Sequence, residues 1–308
     1  MTAEEIVEGL VVRKSGAEFA VERGGVVAPC SLPGKMRLSG SPREFLPVVG
    51  DRIRFRMERG GARGIVTEVL PRRSLLARVD PSQRSGCSVM AANMDLAVLV
   101  FAAREPRFNE RMLDRMLVAA ECGSMEPVIC INKIDIAADA AALDQALHPY
   151  RAMGYRAILS SAVTGEGVVE LAGLLAGRLS ILAGPSGAGK TSLISRVQPG
   201  LELAVGDVSA KTGKGKHTTS HFELHRLGAG GYLGDTPGVR EFGIWGVSRA
   251  ALSSHFRDFA PFLGACRFAA CTHSHEPDCT VKSAVGSGGL SRGRYESYLR
   301  ILETLPER

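Results

Sequence analysis

Short apolar stretches broken by turn residues fill residues 1–70: Leu10-Val11-Val12, Phe19-Ala20-Val21, Val26-Val27-Ala28, Arg52-Ile53-Arg54-Phe55-Arg56 and Gly64-Ile65-Val66-Thr67-Glu68-Val69. That rhythm predicts five short strands, which suggest a small β-barrel of the oligonucleotide-binding (OB) type. In the fourth strand Arg52, Arg54 and Arg56 share one face and Ile53 and Phe55 the other. The basic face suits RNA contact and an ordinary solvated surface equally well, whereas Phe19, Phe45 and Phe55 are expected in the core. Residues 71–93, with the run Pro81-Ser82-Gln83-Arg84-Ser85-Gly86, read as a linker. Arg72, Arg73, Arg78 and Arg84 continue the basic theme through it.

From residue 94 the apolar runs become continuous, as in strands buried on both faces. Asp95–Phe101, Glu126–Ile131, Arg156–Leu159, Leu179–Ala183 and Gly231–Gly234 each predict such a strand. Between the first two, a helix over Asn109–Glu121 would place Leu113, Leu117 and Val118 on one face. Residues 94–246 therefore read as an α/β domain and 247–308 as a helical one. The last helix carries Tyr295, Tyr298, Leu299 and Leu302 at i, i+3, i+4 and i+7, the spacing of a docking face. Trp245 is expected in the core, near enough to the chemistry to report on it.

The chemistry sits in the loops after these strands. Gly184-Pro185-Ser186-Gly187-Ala188-Gly189-Lys190-Thr191 fits G-x-x-x-x-G-K-[ST], between the strand Leu179–Ala183 and a helix opening at Ser192. Glycines there let backbone N–H groups converge on phosphate oxygens at a helix N-terminus. Lys190 would bridge the β- and γ-phosphates, and the Thr191 hydroxyl would ligate Mg²⁺. Asn132-Lys133-Ile134-Asp135 fits N-K-x-D: the Asp135 carboxylate can accept from N1–H and the 2-amino group of guanine, which adenine cannot match. Asn132 would bridge loop and base, and the Lys133 stem would pack over the ring. Ser160-Ser161-Ala162, after the strand Arg156–Leu159, offers a further base contact. Because N-K-x-D precedes the phosphate loop, the expected domain is a circularly permuted α/β P-loop GTPase.

Asp235-Thr236-Pro237-Gly238 fits D-x-x-G. Asp235 would hold Mg²⁺ through water, and the Gly238 N–H would sense the γ-phosphate. Val239 follows, an apolar residue that cannot orient the attacking water, so unassisted hydrolysis should be slow. The segment Gly213-Lys214-Gly215-Lys216-His217-Thr218-Thr219-Ser220 offers replacements. Thr219, with Thr218 beside it, is the candidate magnesium-sensing threonine. His217 is the candidate water-positioning group, its alternative being an exposed loop histidine.

Cys266, Cys271, His273 and Cys279 form C-x₄-C-x-H-x₅-C, a ligand set for one closed tetrahedral Zn²⁺ site of structural type. His275 is a second candidate. A disulfide framework is the competing reading, disfavoured because Met1-Thr2-Ala3-Glu4-Glu5 does not open as a secretion signal. The remaining cysteines are scattered, and Cys122 and Cys130 read as core residues. A net charge of +6 mildly favours a polyanionic partner, and no apolar run approaches the roughly 20 residues of a membrane helix. A cytoplasmic, monomeric protein is expected.

Taken together, these motifs closely resemble the ribosome small-subunit-dependent GTPases of the RsgA/YjeQ family, over nearly the whole chain. The resemblance implies late maturation of the small (30S) ribosomal subunit, contact with its rRNA, and GTP hydrolysis to GDP that the particle stimulates and that triggers release. It carries a proposed catalytic histidine onto His217 and zinc ligands onto Cys266, Cys271, His273 and Cys279. Lysines occupy the basic switch positions here, and Ser220 stands where a threonine is common. Two other classes compete: a zinc-bearing RNA-binding protein with a vestigial nucleotide site, and a P-loop kinase of small molecules.

Overall fold

The computed structural model describes residues 6–33, 46–58, 61–79, 87–201, 222–235, 244 and 246–306. Its first five strands are β1 (Ile6–Ser15), β2 (Glu18–Arg23), β3 (Val26–Ser31), β4 (Arg52–Met57) and β5 (Gly64–Val69). They run in the order β1-β2-β3-β5-β4, and β4 returns to pair with β1, so the sheet closes into a barrel. Each expected apolar stretch lies inside one of these strands. Alternation sends Val11, Phe19, Val21, Ile53, Phe55 and Val66 to a common interior. Phe45 lies outside the described residues.

The basic outer face is largely spoken for. Arg54 pairs with Glu8 at 3.1 Å and with Glu68 at 2.7 Å, across both neighbouring strands. Arg72 is a correction to the expected basic surface: its Nε and Nη2 both donate to the fully buried Asp51, at 2.8 Å each. A carboxylate out of water demands a fixed cation, and a guanidinium fork supplies two parallel donors.

The stretch read as a linker folds into an antiparallel pair, β6 (Leu75–Val79) and β7 (Cys87–Ala92). Its end is tied to the barrel turn: Ala92 N donates to Val49 O at 2.9 Å and Asn93 Nδ2 to Gly50 O at 3.0 Å. The hydrogen bonds of this segment are therefore made in two directions, which composition could not foretell.

The α/β sheet comprises β8 (Leu96–Ala102), β9 (Glu126–Asn132), β10 (Arg156–Leu159), β11 (Leu179–Ala183), β12 (Glu223–Arg226) and β13 (Tyr232–Asp235). Their order is β10-β9-β8-β11-β13-β12, parallel except for β12 against β13. The central strand β11 thus has an earlier strand on one side and a later one on the other. Helices α1 (Glu110–Cys122), α2 (Ala140–Ala152), α3 (Val168–Leu175) and α4 (Lys190–Val197) cover it. Asn109 caps α1 by accepting from Met112 N. β12 also meets β1, with Arg13 opposite Glu223, so barrel and α/β sheet form one continuous sheet. Cys130 is fully buried in β9, while Cys122 is only partly buried.

Two 3₁₀ turns, Leu252–His255 and Arg257–Phe262, precede α5 (Thr280–Ser287) and α6 (Arg292–Thr304). In α6, Tyr298 and Leu302 are buried, and Tyr295 and Leu299 pack partly buried against the same core. Arg294 of α6, 4% exposed, donates to Asp114 of α1 at 2.7 Å and to Asp258 at 3.0 Å. Tyr150 donates its hydroxyl to the same Asp114 at 3.0 Å. Burial pulls the Arg294 guanidinium down, but the two carboxylates outweigh it and hold it above the ordinary arginine value. Trp245 lies outside the described residues.

Candidate nucleotide site and metal centre

The phosphate loop leaves β11 at Gly184 and enters α4 at Lys190. Gly184, at φ 148°, passes so close to β8 that a Cβ would lie 1.9 Å from Val100 O. Gly189, at φ 86°, would put one 2.3 Å from Asn132 Nδ2. Only glycine fits either place. No side chain caps α4, leaving its N-terminal dipole facing the loop, and Thr191 and Ser192 are exposed there. Lys190 Nζ donates to Gly184 O at 2.8 Å and Pro185 O at 2.9 Å, within the loop it would share with phosphate oxygens.

The guanine-side turn comes from the end of β9. Asn132, 1% exposed, donates through Nδ2 to Ala188 O at 2.9 Å, and its Oδ1 accepts from Ala162 N at 3.2 Å. One side chain thus ties the phosphate loop to the turn after β10. Asp135 accepts from Ser161 Oγ while remaining exposed, and Ile134 N donates to Ser160 O at 3.2 Å. Lys133 takes a left-handed backbone, φ 63°, and sends Nζ to Glu105 O at 2.8 Å. Through these bonds the turn at residues 132–135 and the turn at residues 160–162 are held against Ala188 of the phosphate loop. Asp235 ends β13, on the far side of β11 from β8. His217, Thr218, Thr219 and Gly238 lie outside the described residues.

Cys266, Cys271, His273 and Cys279 bring their ligand atoms within 4.8 Å of one another. Cys266 Sγ lies 3.9 Å from Cys279 Sγ and 3.5 Å from His273 Nδ1, which is 3.3 Å from Cys279 Sγ. Bonds of about 2.3 Å to sulfur and 2.0–2.1 Å to nitrogen would set tetrahedral edges of about 3.8 Å and 3.5 Å. The four residues can therefore hold one metal ion. His275 is exposed and stands outside the cluster. Burial keeps the His273 ring below the ordinary imidazole value, hence neutral with a lone pair to give. Burial also lifts the Cys271 thiol to about 12. At Cys266 burial is outweighed by hydrogen bonds, first from Thr280, and the thiol falls below its usual range.

Residues 69–245 match the RsgA GTPase family model. Over 96% of its length the chain is 41% identical to the small ribosomal subunit biogenesis GTPase RsgA of Moorella thermoacetica, covering 96% of that protein. It is 39% identical to the protein of the same name from Caldanaerobacter subterraneus subsp. tengcongensis, over 99% of this chain and 97% of that one. The chain belongs to the RsgA GTPase family. Among solved RsgA-like structures, YjeQ from Thermotoga maritima superposes with a TM-score of 0.78 at 31% identity, covering 99% of this chain and 100% of that one. YloQ, described as a circularly permuted GTPase, superposes with a TM-score of 0.74 at 26% identity, over 98% and 96%. The permutation expected from motif order is thus the architecture of the RsgA fold.

Sequence reasoning passes over several residues that hold this cysteine–histidine cluster together. Thr280 donates to Phe262 O at 2.6 Å with its hydroxyl 3.1 Å from Cys266 Sγ. Glu276 accepts from Thr272 N, Thr272 Oγ1 and Ser274 N, at 2.6, 2.6 and 3.0 Å. Burial opposes its charge, but these donors outweigh burial and hold the carboxyl at about 2. A glutamate three residues from a ligand carries no spacing signal of its own.

Proposed function

We propose that this chain hydrolyses GTP during biogenesis of the small ribosomal subunit, binding the particle through its rRNA and leaving it after turnover. The nucleotide half of the reading rests on one observation: the Asn132 side chain touches both Ala188 of the phosphate loop and Ala162 of the guanine-side turn. A single GTP can then be read at both ends. The ribosomal half is supported by the names of relatives 41% and 39% identical along almost the entire chain.

In this mechanism Asp135 accepts the two guanine donors, and an amino-to-oxo change in the base leaves its carboxylate badly paired. Lys190 exchanges its loop carbonyls for β- and γ-phosphate oxygens. Thr191 would hold Mg²⁺, which supplies charge neutralisation when bound. Asp235, Thr219 and the Gly238 N–H would report the γ-phosphate, and His217 would orient the attacking water. The subunit's part is to order the segment bearing His217, a gain of about 10³–10⁵ in rate in related phosphoryl-transfer systems. The ion assigned to the Cys266, Cys271, His273 and Cys279 cluster is zinc, and four ligands leave no open position for catalysis. We place the protein in the cytoplasm as a monomer; no described helix is long and apolar enough to cross a membrane.

His217→Ala should retain GTP affinity and lose the stimulation of turnover by purified small subunits. Equal stimulated rates for variant and parent would remove His217 from this role.

A further inference from the structure

A cavity of about 320 Å³ opens between α1 and α6, and none of its lining residues has a part in the proposed nucleotide mechanism. Its lining is Asn109, Arg111, Arg115, Arg300 and Ser297 over a floor of Met112, Met116 and Ile301. Three guanidinium groups converge here and no carboxylate lines the space.

Two polar atoms in this wall are unsatisfied. Ser297, 4% exposed, has a buried Oγ without a hydrogen-bond partner, and Arg115 Nε is buried and likewise unpartnered. Buried donors are almost always paired in folded proteins, so two orphans in one cavity mark a place built for an acceptor. α6 is also tied to α1 by Arg294 and Asp114, a pair that involves neither unpartnered atom.

The chemistry selects the ligand. Arginine forks and a hydroxyl fit the oxygens of a phosphate ester. The thioether and aliphatic floor, beside flat guanidinium planes, fits a planar ring. The volume lies at the lower end of small-ligand pockets, roughly 300–1,000 Å³, and suits a single unit rather than a longer segment. We propose that this cavity binds one nucleotide unit, phosphate against Arg115, Arg300 and Ser297 and base against Met112, Met116 and Ile301. A free nucleotide and one splayed nucleotide of single-stranded RNA share that chemistry.

The full chain, saturated with GDP to fill the phosphate-loop site, separates the sources. Adenosine 5′-monophosphate is titrated by calorimetry, and a short fluorescent single-stranded RNA by anisotropy at several salt concentrations. Ser297→Ala removes one unpartnered oxygen, and Arg300→Ala changes an exposed residue, so GDP affinity serves as the folding control. The proposal expects each variant to weaken the binding of at least one probe, Arg300→Ala by about 10-fold or more. Weakened monophosphate binding assigns a free nucleotide. Weakened RNA binding alone, with a salt slope shallower by about one for Arg300→Ala, assigns an RNA nucleotide. If both variants bind both probes as the parent does, or the parent's only binding is untouched by them, the cavity is not a nucleotide site.

Discussion

Asn132 ties two loops together with one side chain. Its amide nitrogen holds Ala188 O and its oxygen holds Ala162 N, while the Cβ-free Gly189 lets it come that close. Asn132→Ala would therefore loosen phosphate and guanine contacts together. GDP and GTP affinities should fall by about 10–100-fold alike, since a buried carbonyl and a half-buried N–H lose their partner at once. A loss confined to one nucleotide, measured by mant-nucleotide titration, would contradict this. The motif pattern made these residues legible because chemistry fixes their types and order. Arg72 was not legible: nothing in sequence separates an arginine that faces RNA from one that neutralises a buried Asp51.

At the scale of elements, strands were readable wherever burial forced a pattern. β5, β10 and β11 coincide with their apolar runs because turn residues bound them on both sides. The pair β6 and β7 hid behind a polar, serine- and arginine-rich connection, and its ties to the barrel turn at Val49 and Gly50 reach far back in sequence. The metal-bearing segment is the opposite case, an element whose ligands are plain but whose fold depends on them. Between Leu263 and Cys279 the described chain has no helix or strand, so a bound ion would supply the cross-links that regular structure does not. Chelation should expose Cys266, Cys271 and Cys279 to a thiol reagent and lower the melting temperature. Cys30 and Cys130, pushed up to about 11 by burial, and Cys122, pushed up to about 12, stay slow. Reaction of all six described thiols at one rate would mean that the cluster is not a separate unit.

Across the whole molecule, the metal-bearing end is locked to the α/β sheet by charge as well as by rings. Arg294 sits between Asp114 and Asp258, and Arg257 bonds Glu121 at 2.6 Å while lying over Tyr155. Arg294→Met would strand two carboxylates. Stability should drop by about 3–5 kcal/mol, with faster amide exchange in both α1 and α6. A loss below about 1 kcal/mol in urea unfolding would show that water reaches the pair after all. No periodicity announces such a lock, because only the folded chain brings residues 114, 258 and 294 together.

The seam at Arg13 and Glu223 has a mechanical meaning. In sequence His217 shortly precedes β12, one edge of which pairs with β13 and the other with β1 of the barrel wall. Were the proposed rRNA contact made on the barrel, it would load β12 from its β1 side, while any load carried by β13 would reach it from the other. Whatever factor that contact lends to GTP retention, GTP must return to the contact in equal measure.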